Sequence, residues 1–155
     1  MKKIVVLGAT GMLGSAVHNY FTSNPNLNIR SSYRTEGLID GPNVFYFDAL
    51  SSDLDTIPEC DYVFNCIGII KPFMKRSISD SIYINSGKLG KYDEDSIHDC
   101  EDEYGKSKSL GEPKDCMVIR TSIIGEEIHK GASLIEWVKG NKGKEINGFT
   151  EHLWN

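Results

Sequence analysis

The chain has 155 residues, 39% of them hydrophobic and 25% charged, which is typical of a globular protein with one core of ordinary size. Its formal net charge of −5 argues against a nucleic acid or an acidic membrane as a partner, because both are bound through a basic face. Since no apolar run is long enough for a signal sequence or a membrane span, we expect a cytoplasmic protein.

The first predicted element is a buried strand that leads into a glycine-rich turn and a helix. Residues 4–7 form an apolar run suited to a parallel strand covered on both faces. Gly8, Gly11 and Gly14 follow at the spacing G-x-x-G-x-x-G. The next residues carry an apolar stripe at helical spacing, which predicts an amphipathic helix. This stripe consists of Leu13, Val17, Tyr20 and Phe21.

Strand, glycine turn and helix in this order are typical of a dinucleotide-binding fold. The first glycine permits the tight turn, the second lets a pyrophosphate approach the backbone, and the third allows close helix packing. The start of the helix also directs N–H groups and the positive end of its dipole at the turn. An ordinary loop is the alternative, since glycine is abundant here, but the order of elements favours binding. The predicted cofactor contacts are Gly8, Thr10, Gly11, Met12, Leu13 and Gly14.

A second strand is predicted over 28–33, and the residue at its end bears on the choice of cofactor. In a dinucleotide fold an acidic residue there would bind the ribose 2′-hydroxyl, whereas an arginine suits a 2′-phosphate. This strand ends at Arg34, and no acidic residue precedes Glu36. We therefore expect NADP as the cofactor, with NAD as the alternative if Arg34 is only a solvated side chain.

Two further strands are predicted over 44–47 and 62–68, with a short helix over 50–57 between them. The carboxyl ends of parallel strands line the ligand crevice of such a sheet. Asp48 would therefore contact the adenine or cap the next helix, and Gly68 would let the backbone approach the cofactor. The predicted contacts at this edge are Asp48, Ala49, Cys66, Ile67 and Gly68.

The four cysteines are expected to be reduced thiols. They form no C-x-x-C pair and have no paired histidine spacing, so neither a disulfide framework nor a metal site is predicted. Cys66 lies near the expected nicotinamide position, where we interpret it as a small apolar residue rather than a nucleophile.

The alternation of strands and helices fails after a helix predicted over 79–85. Residues 87–103 contain neither a helical stripe nor a strand-like run. A crossover between parallel strands needs a dozen or more residues, and the next strand needs its own apolar run. Beyond this span we predict a helix over 104–112, a strand over 116–120 and an amphipathic helix over 132–140.

Tyr104 and Lys108 form a Y-x-x-x-K motif, which places both side chains on one helix face, one turn apart. A neighbouring ammonium group stabilises a phenolate and lowers the tyrosine pKa, so the phenol becomes a usable proton donor or acceptor nearer neutral pH. The motif alone is common by chance, but it occurs here together with the glycine turn.

Together these features resemble the extended short-chain dehydrogenase/reductases, and within them the dTDP-4-dehydrorhamnose reductase type of nucleotide-sugar reductase and epimerase. The similarity runs nearly end to end. It is carried by Gly8, Gly11 and Gly14, Asp48, Asn65-Cys66-Ile67-Gly68, Ile84-Asn85, Tyr104 to Lys108, and Ile119-Arg120-Thr121. The resemblance implies an α/β fold with a Rossmann-type doubly wound parallel sheet. Residues 1–125 would form the cofactor domain and 126–155 the start of a truncated C-terminal substrate-binding portion.

The resemblance also implies a reaction and roles for residues. Tyr104 would donate a proton to a sugar carbonyl while hydride passes from NADPH to its carbon, and Lys108 would bind the nicotinamide ribose and tune the tyrosine. Asn85 would be a further cofactor contact, and Arg120 and His152 would contact the substrate. A nucleotide sugar is then the expected partner, in cell-surface polysaccharide synthesis, and a homodimer is left open.

Two departures from the family pattern leave alternatives. The family's serine or threonine strand before the catalytic helix is missing, and about 25 residues would belong between Ser86 and Gly87. Either that segment is deleted or the sequence omits it and numbers its flanks continuously; an excised central strand would leave a gap in the sheet, which favours omission. The substrate-binding portion is also incomplete. A non-catalytic NADP-binding regulatory module of the same fold is therefore the alternative function.

Overall fold

The computed structural model describes residues 1–68, 93, 95–101, 103–120, 123–128, 131 and 133–147. The chain divides into two compact units, one formed by residues 1–68 and 123–155 and the other by residues 69–122. Asn85, His152 and the junction of Ser86 with Gly87 lie outside the described residues. The domain division predicted from the sequence stays a prediction.

The first unit contains a four-stranded sheet in which all strands are parallel. The strands are β1 (Lys2–Leu7), β2 (Leu27–Tyr33), β3 (Val44–Tyr46) and β4 (Tyr62–Asn65), in the order β3-β2-β1-β4. The central strand β1 pairs Ile4 with Ile29 of β2 and with Tyr62 of β4. The prediction of an α/β fold with a parallel sheet is confirmed.

Three helices accompany the strands in the described part of the chain. They are α1 (Met12–Thr22), α2 (Glu103–Leu110) and α3 (Leu134–Gly140), and a single 3-10 turn covers Leu54–Thr56. α1 and α3 belong to the first unit and α2 to the second. Ser133 is the N-cap of α3, and its hydroxyl accepts a hydrogen bond from the Glu136 N–H at 3.4 Å. Among these helices, none has the length and apolar character needed to cross a bilayer.

The sheet carries an apolar cluster on each face, because successive side chains of a strand point to opposite sides. Ile4 and Val6 of β1 form one cluster with Ala9 and Ile29, and α1 packs on it through Val17 and Phe21. The other cluster consists of Val5, Leu7 and Phe47, with Phe45, Ile57 and Cys60 packed against it. All four residues of the predicted apolar run are buried, as expected for a central parallel strand.

Two adjacent serines of β2 are almost fully buried, and each has a polar partner. Ser31 is 0% and Ser32 1% exposed. The Ser31 hydroxyl oxygen lies 2.8 Å from Nδ1 of His18 on α1. The Ser32 hydroxyl accepts a hydrogen bond from the Gly8 N–H at 2.9 Å. These bonds explain how polar side chains are tolerated inside the core.

The strand predicted over 116–120 is wrong, and the helix predicted over 50–57 is reduced to the 3-10 turn. Met117 and Ile119 are 89% and 71% exposed. A strand exists only when a neighbouring strand takes up its hydrogen bonds, and the described part of the second unit contains none. An apolar run was therefore insufficient evidence for a strand at this place.

We predict that His18 makes the stability of the protein depend on pH, because burial lowers its pKa below the ordinary value. The folded protein then binds the proton less tightly than the unfolded chain. This contribution to stability is complete above about pH 6.5 and is lost as the pH falls through and below that value. His18→Asn should therefore lose less free energy of unfolding than the wild type between about pH 7.5 and about pH 5.5.

Urea unfolding at the two pH values measures this difference. The carboxylates with lowered pKa values, Asp61, Asp93 and Glu112, do not interfere, since they lose their stabilisation only near and below about pH 4. An identical pH dependence for the wild type and His18→Asn would contradict the prediction.

Candidate functional site

The candidate site lies at the edge of the sheet where the parallel strands end. The chain leaves this edge at Gly8 after β1, at Arg34 after β2 and at Cys66 after β4. The ends of β1 and β4 are joined directly, because the Cys66 N–H donates to the Leu7 carbonyl oxygen at 2.9 Å. The strand pairing thus gathers at one edge residues that are far apart in the sequence.

Two glycines of the turn are required by the fold itself. Gly8 has a φ of +75°, and a Cβ there would lie 3.1 Å from both the backbone nitrogen and Cγ1 of Ile67. A Cβ on Gly14 would lie 2.1 Å from the Gly8 carbonyl oxygen, which no real contact allows. These glycines therefore have the steric roles expected of the first and third positions of the spacing.

Gly11, between them, is not required by the fold. Its φ of −81° and ψ of 167° suit any residue, and the atom nearest to an added Cβ, the Gly8 carbonyl oxygen, is 3.4 Å away. Gly11 is also exposed. The protein thus leaves room for a Cβ at Gly11 with a single neighbouring atom, and the missing side chain would matter mainly to a ligand that approaches the backbone there.

The first turn of α1 presents backbone N–H groups at the same place. No side chain caps this helix, and its first turn contains no acidic residue. Within the described residues, the N–H groups of Met12, Leu13 and Gly14 have no hydrogen-bond acceptor. Unpartnered N–H groups and the positive end of the helix dipole favour an anion.

Ser32 of β2 accepts hydrogen bonds from the glycine turn, and the sequence did not predict this role. Its hydroxyl accepts from the Gly8 N–H at 2.9 Å, and its carbonyl oxygen accepts from the Ala9 N–H at 3.1 Å. The signal in the sequence was a serine inside the predicted strand over 28–33, two residues before Arg34. A polar side chain that is buried in a strand needs a hydrogen-bond partner from another element.

Arg34 and Asp48 lie at the ends of β2 and β3. Arg34 is exposed, and it forms no ion pair or side-chain hydrogen bond within the part of the chain described above. The Asp48 carboxylate accepts a hydrogen bond from the Leu50 N–H at 3.0 Å, and the Asp48 N–H donates to the Ser52 hydroxyl at 2.9 Å. These bonds form a local turn, and the next helical element, the 3-10 turn over Leu54–Thr56, is capped by Asp53 instead. The capping role expected for Asp48 is therefore not observed, and its contact with adenine stays a prediction.

The segment after β4 closes against the glycine turn. The Asn65 side-chain oxygen accepts from the Ile67 N–H at 3.0 Å, in a local turn that brings Ile67 beside Gly8. Cys66 is half-buried, and burial raises the pKa of its thiol. Because the thiolate is the nucleophilic form, this environment disfavours a catalytic role for Cys66. Ala49 and Gly68 are exposed at the same edge.

The second unit brings Tyr104 and Lys108 together on α2, as the spacing predicted. The Lys108 ammonium nitrogen lies 5.1 Å from the centroid of the Tyr104 ring. Both side chains are half-buried. The pair therefore combines a phenol and a cation on one helix face, an arrangement suited to proton transfer by a tyrosine.

Arg120, predicted to contact the substrate, lies in a hydrogen-bonded group of the second unit. Its guanidinium binds both carboxylate oxygens of Glu112, at 2.7 and 2.8 Å. These hydrogen bonds lower the pKa of Glu112. Arg120 is thus held as a structural ion pair, while its contact with a substrate stays a prediction.

The same arginine determines the proton position on His98. Nη2 of Arg120 lies 2.8 Å from Nε2 of His98, and a guanidinium can only donate, so Nε2 is an acceptor. The proton of the neutral ring is then on Nδ1, which donates to the Ser109 hydroxyl at 2.7 Å. A histidine in this tautomer cannot take a proton from that serine, so the pair is not an activated nucleophile.

Comparison of the chain with protein-family models, with curated proteins and with solved structures found no match. In the described residues, no group of three or more His, Cys, Asp and Glu side chains is placed to hold a metal ion. The interpretation of the site therefore depends on its own residues and geometry.

Proposed function

We propose that this protein binds NADP at the glycine turn and is an NADP-dependent oxidoreductase of the short-chain dehydrogenase/reductase type. Its substrate would be a nucleotide-activated 4-keto sugar, as in the dTDP-4-dehydrorhamnose reductase type, in cytoplasmic synthesis of cell-surface polysaccharide. The observation that carries the proposal is the uncapped start of α1 beside the exposed Gly11, whose backbone no side chain covers.

The strand order supports a Rossmann-type sheet. The order β3-β2-β1-β4 corresponds to the first four positions of the order 3-2-1-4-5-6 in that fold. There the ligand lies outside the carboxyl ends of the strands, where the strand order reverses. In this chain the reversal falls between β1 and β4, whose ends carry Gly8 and Ile67.

The residues at this edge fit a dinucleotide phosphate. The N–H groups of Met12, Leu13 and Gly14 would bind the diphosphate oxygens, and Gly11 would let them approach the backbone. The exposed Arg34 guanidinium would bind a 2′-phosphate, for which its planar donor geometry is suited. These groups support NADP over NAD.

Tyr104 and Lys108 support reduction of a carbonyl group. The bound cofactor would supply hydride to the carbonyl carbon. Tyr104 would donate its phenol proton to the carbonyl oxygen, which completes the alcohol, and Lys108 would stabilise the phenolate that remains. The ammonium group above the tyrosine ring is the observation in favour of this role.

One observation favours the alternative of an NADP-binding module without catalysis. The reductases of this type use a third hydroxyl on a strand before the catalytic helix, and residues 93 and 95–101 contain no strand. The hydroxyl of Ser96 in this segment donates to the Asp93 carboxylate at 2.7 Å. The alternative predicts cofactor binding with no turnover of a keto sugar.

Gly11→Ala tests the diphosphate contact. The variant should fold, with a free energy of unfolding within about 1 kcal/mol of the wild type, because the protein leaves room for the methyl group. Its affinity for NADPH should fall at least about tenfold, because the methyl group occupies the space of the phosphate. NADPH fluorescence titration measures the affinity. The matched control is Gly140→Ala on α3, which adds a methyl group in open space and should bind like the wild type.

Arg34→Ala tests the 2′-phosphate contact. We expect the affinity for NADPH to fall at least about tenfold while that for NADH stays within about twofold, because only NADPH loses a charge-assisted hydrogen bond. Arg30→Ala removes the same charge from an exposed position of the same strand, away from its end, and should change neither affinity. Equal losses for both cofactors in Arg34→Ala would contradict the assignment.

Tyr104→Phe tests catalysis. Oxidation of NADPH in the presence of a dTDP-4-keto-6-deoxy sugar should slow at least about a hundredfold, the usual contribution of a positioned proton donor. NADPH affinity should be unchanged, and the control Tyr20→Phe, at a 75% exposed position of α1, should retain full activity. Activity that survives in Tyr104→Phe would remove the phenol from the reaction. A wild type that binds NADPH without turnover would support the non-catalytic module.

A further inference from the structure

The glycine turn is attached to the neighbouring strand through a single residue. Ser32 accepts hydrogen bonds from two consecutive N–H groups of the turn, from Gly8 through its hydroxyl at 2.9 Å and from Ala9 through its carbonyl oxygen at 3.1 Å. Ser32 is 1% exposed. Water therefore has no access to replace the hydroxyl as an acceptor for the Gly8 N–H.

These bonds divide the N–H groups of the turn into two sets. Gly8 and Ala9 direct theirs to β2, and the Gly11 N–H donates to the Gly8 carbonyl oxygen at 3.0 Å. The N–H groups of Met12, Leu13 and Gly14 have no acceptor in the described part of the chain and are left for a ligand. The orientation of the Gly8 peptide thus decides which face of the turn meets the phosphate.

We propose that Ser32 is a positioning residue of the candidate site, which orients the turn by accepting the Gly8 N–H. The inference rests on the proposed binding of NADP. Because Ser32 is buried, it would not touch the ligand itself. It acts through Gly8, whose φ of +75° leaves the peptide without the restraint of regular secondary structure.

The neighbouring Ser31 provides a matched control. It is also buried, at 0% exposure, and its hydroxyl also makes a hydrogen bond to another element, at 2.8 Å from Nδ1 of His18. Successive side chains of a strand lie on opposite faces, so Ser31 does not share the contact with Gly8. Ser31→Ala and Ser32→Ala therefore remove the same hydroxyl group from equally buried positions. Only the Ser32 hydroxyl contacts the glycine turn.

The experiment measures NADPH affinity and urea unfolding for the wild type, Ser32→Ala, Ser31→Ala and Ser32→Thr. Ser32→Ala should weaken NADPH binding about three- to tenfold, as expected when one hydrogen bond no longer orients the site. Ser31→Ala should lower the unfolding midpoint to a similar degree and leave the affinity within about twofold of the wild type. Ser32→Thr, which keeps the hydroxyl, should bind NADPH more tightly than Ser32→Ala, with an affinity near that of the wild type. In the free protein, the Gly8 amide NMR signal should shift in Ser32→Ala and stay in place in Ser31→Ala.

The outcomes separate this inference from the proposed function. A wild type that does not bind NADPH overturns the proposed function and, with it, the role of Ser32. A wild type that binds NADPH, with unchanged affinity in Ser32→Ala, overturns the positioning role alone. An equal loss of NADPH affinity in Ser31→Ala also overturns the positioning role. The loss would then result from lower stability of the protein and not from the lost hydrogen bond to Gly8.

Discussion

The close approach of α1 to the end of β1 is the constraint on which the candidate site depends. The Gly8 carbonyl oxygen lies where Gly14 would carry a Cβ, at 2.1 Å, so the helix can start there only with a glycine at that position. Because α1 starts so close to the strand, its first N–H groups lie at the carboxyl edge of the sheet. The same placement lets Val17 and Phe21 pack on the sheet, so the geometry of the site and the packing of the core have one origin.

The candidate site would bind an anion through backbone N–H groups, although the chain is acidic overall. A formal net charge of −5 disfavours a general attraction for phosphates. The N–H groups at the start of α1 and the helix dipole act only over a short range, so they favour a phosphate at one place without making the surface basic. The first turn of α1 contains no acidic residue that would occupy these donors, which keeps them open to a ligand.

The described part of the second unit contains two groups of ionisable side chains that differ in the chemistry available to them. In the first, Tyr104 and Lys108 lie one turn apart on α2, with the ammonium group over the ring. In the second, Arg120 binds Glu112 and donates to His98, which leaves the ring nitrogen facing Ser109 as a donor. The first arrangement suits proton transfer by a phenol, whereas the second is a structural network whose histidine cannot act as a base toward the serine.

The sequence alone determined β1, the glycine turn and α1, since the apolar run, the glycine spacing and the helical stripe are local signals within the first 22 residues. The Tyr104 and Lys108 pairing was equally predictable, because helical periodicity brings residues four apart together. Only the tertiary structure decided that 116–120 is not a strand and that the Ser32 hydroxyl accepts a hydrogen bond from the Gly8 N–H. A strand forms only if another strand elsewhere in the chain pairs with it. A buried hydroxyl likewise needs a hydrogen-bond donor or acceptor from another element. Such contacts join residues far apart in the sequence, and no local pattern encodes them.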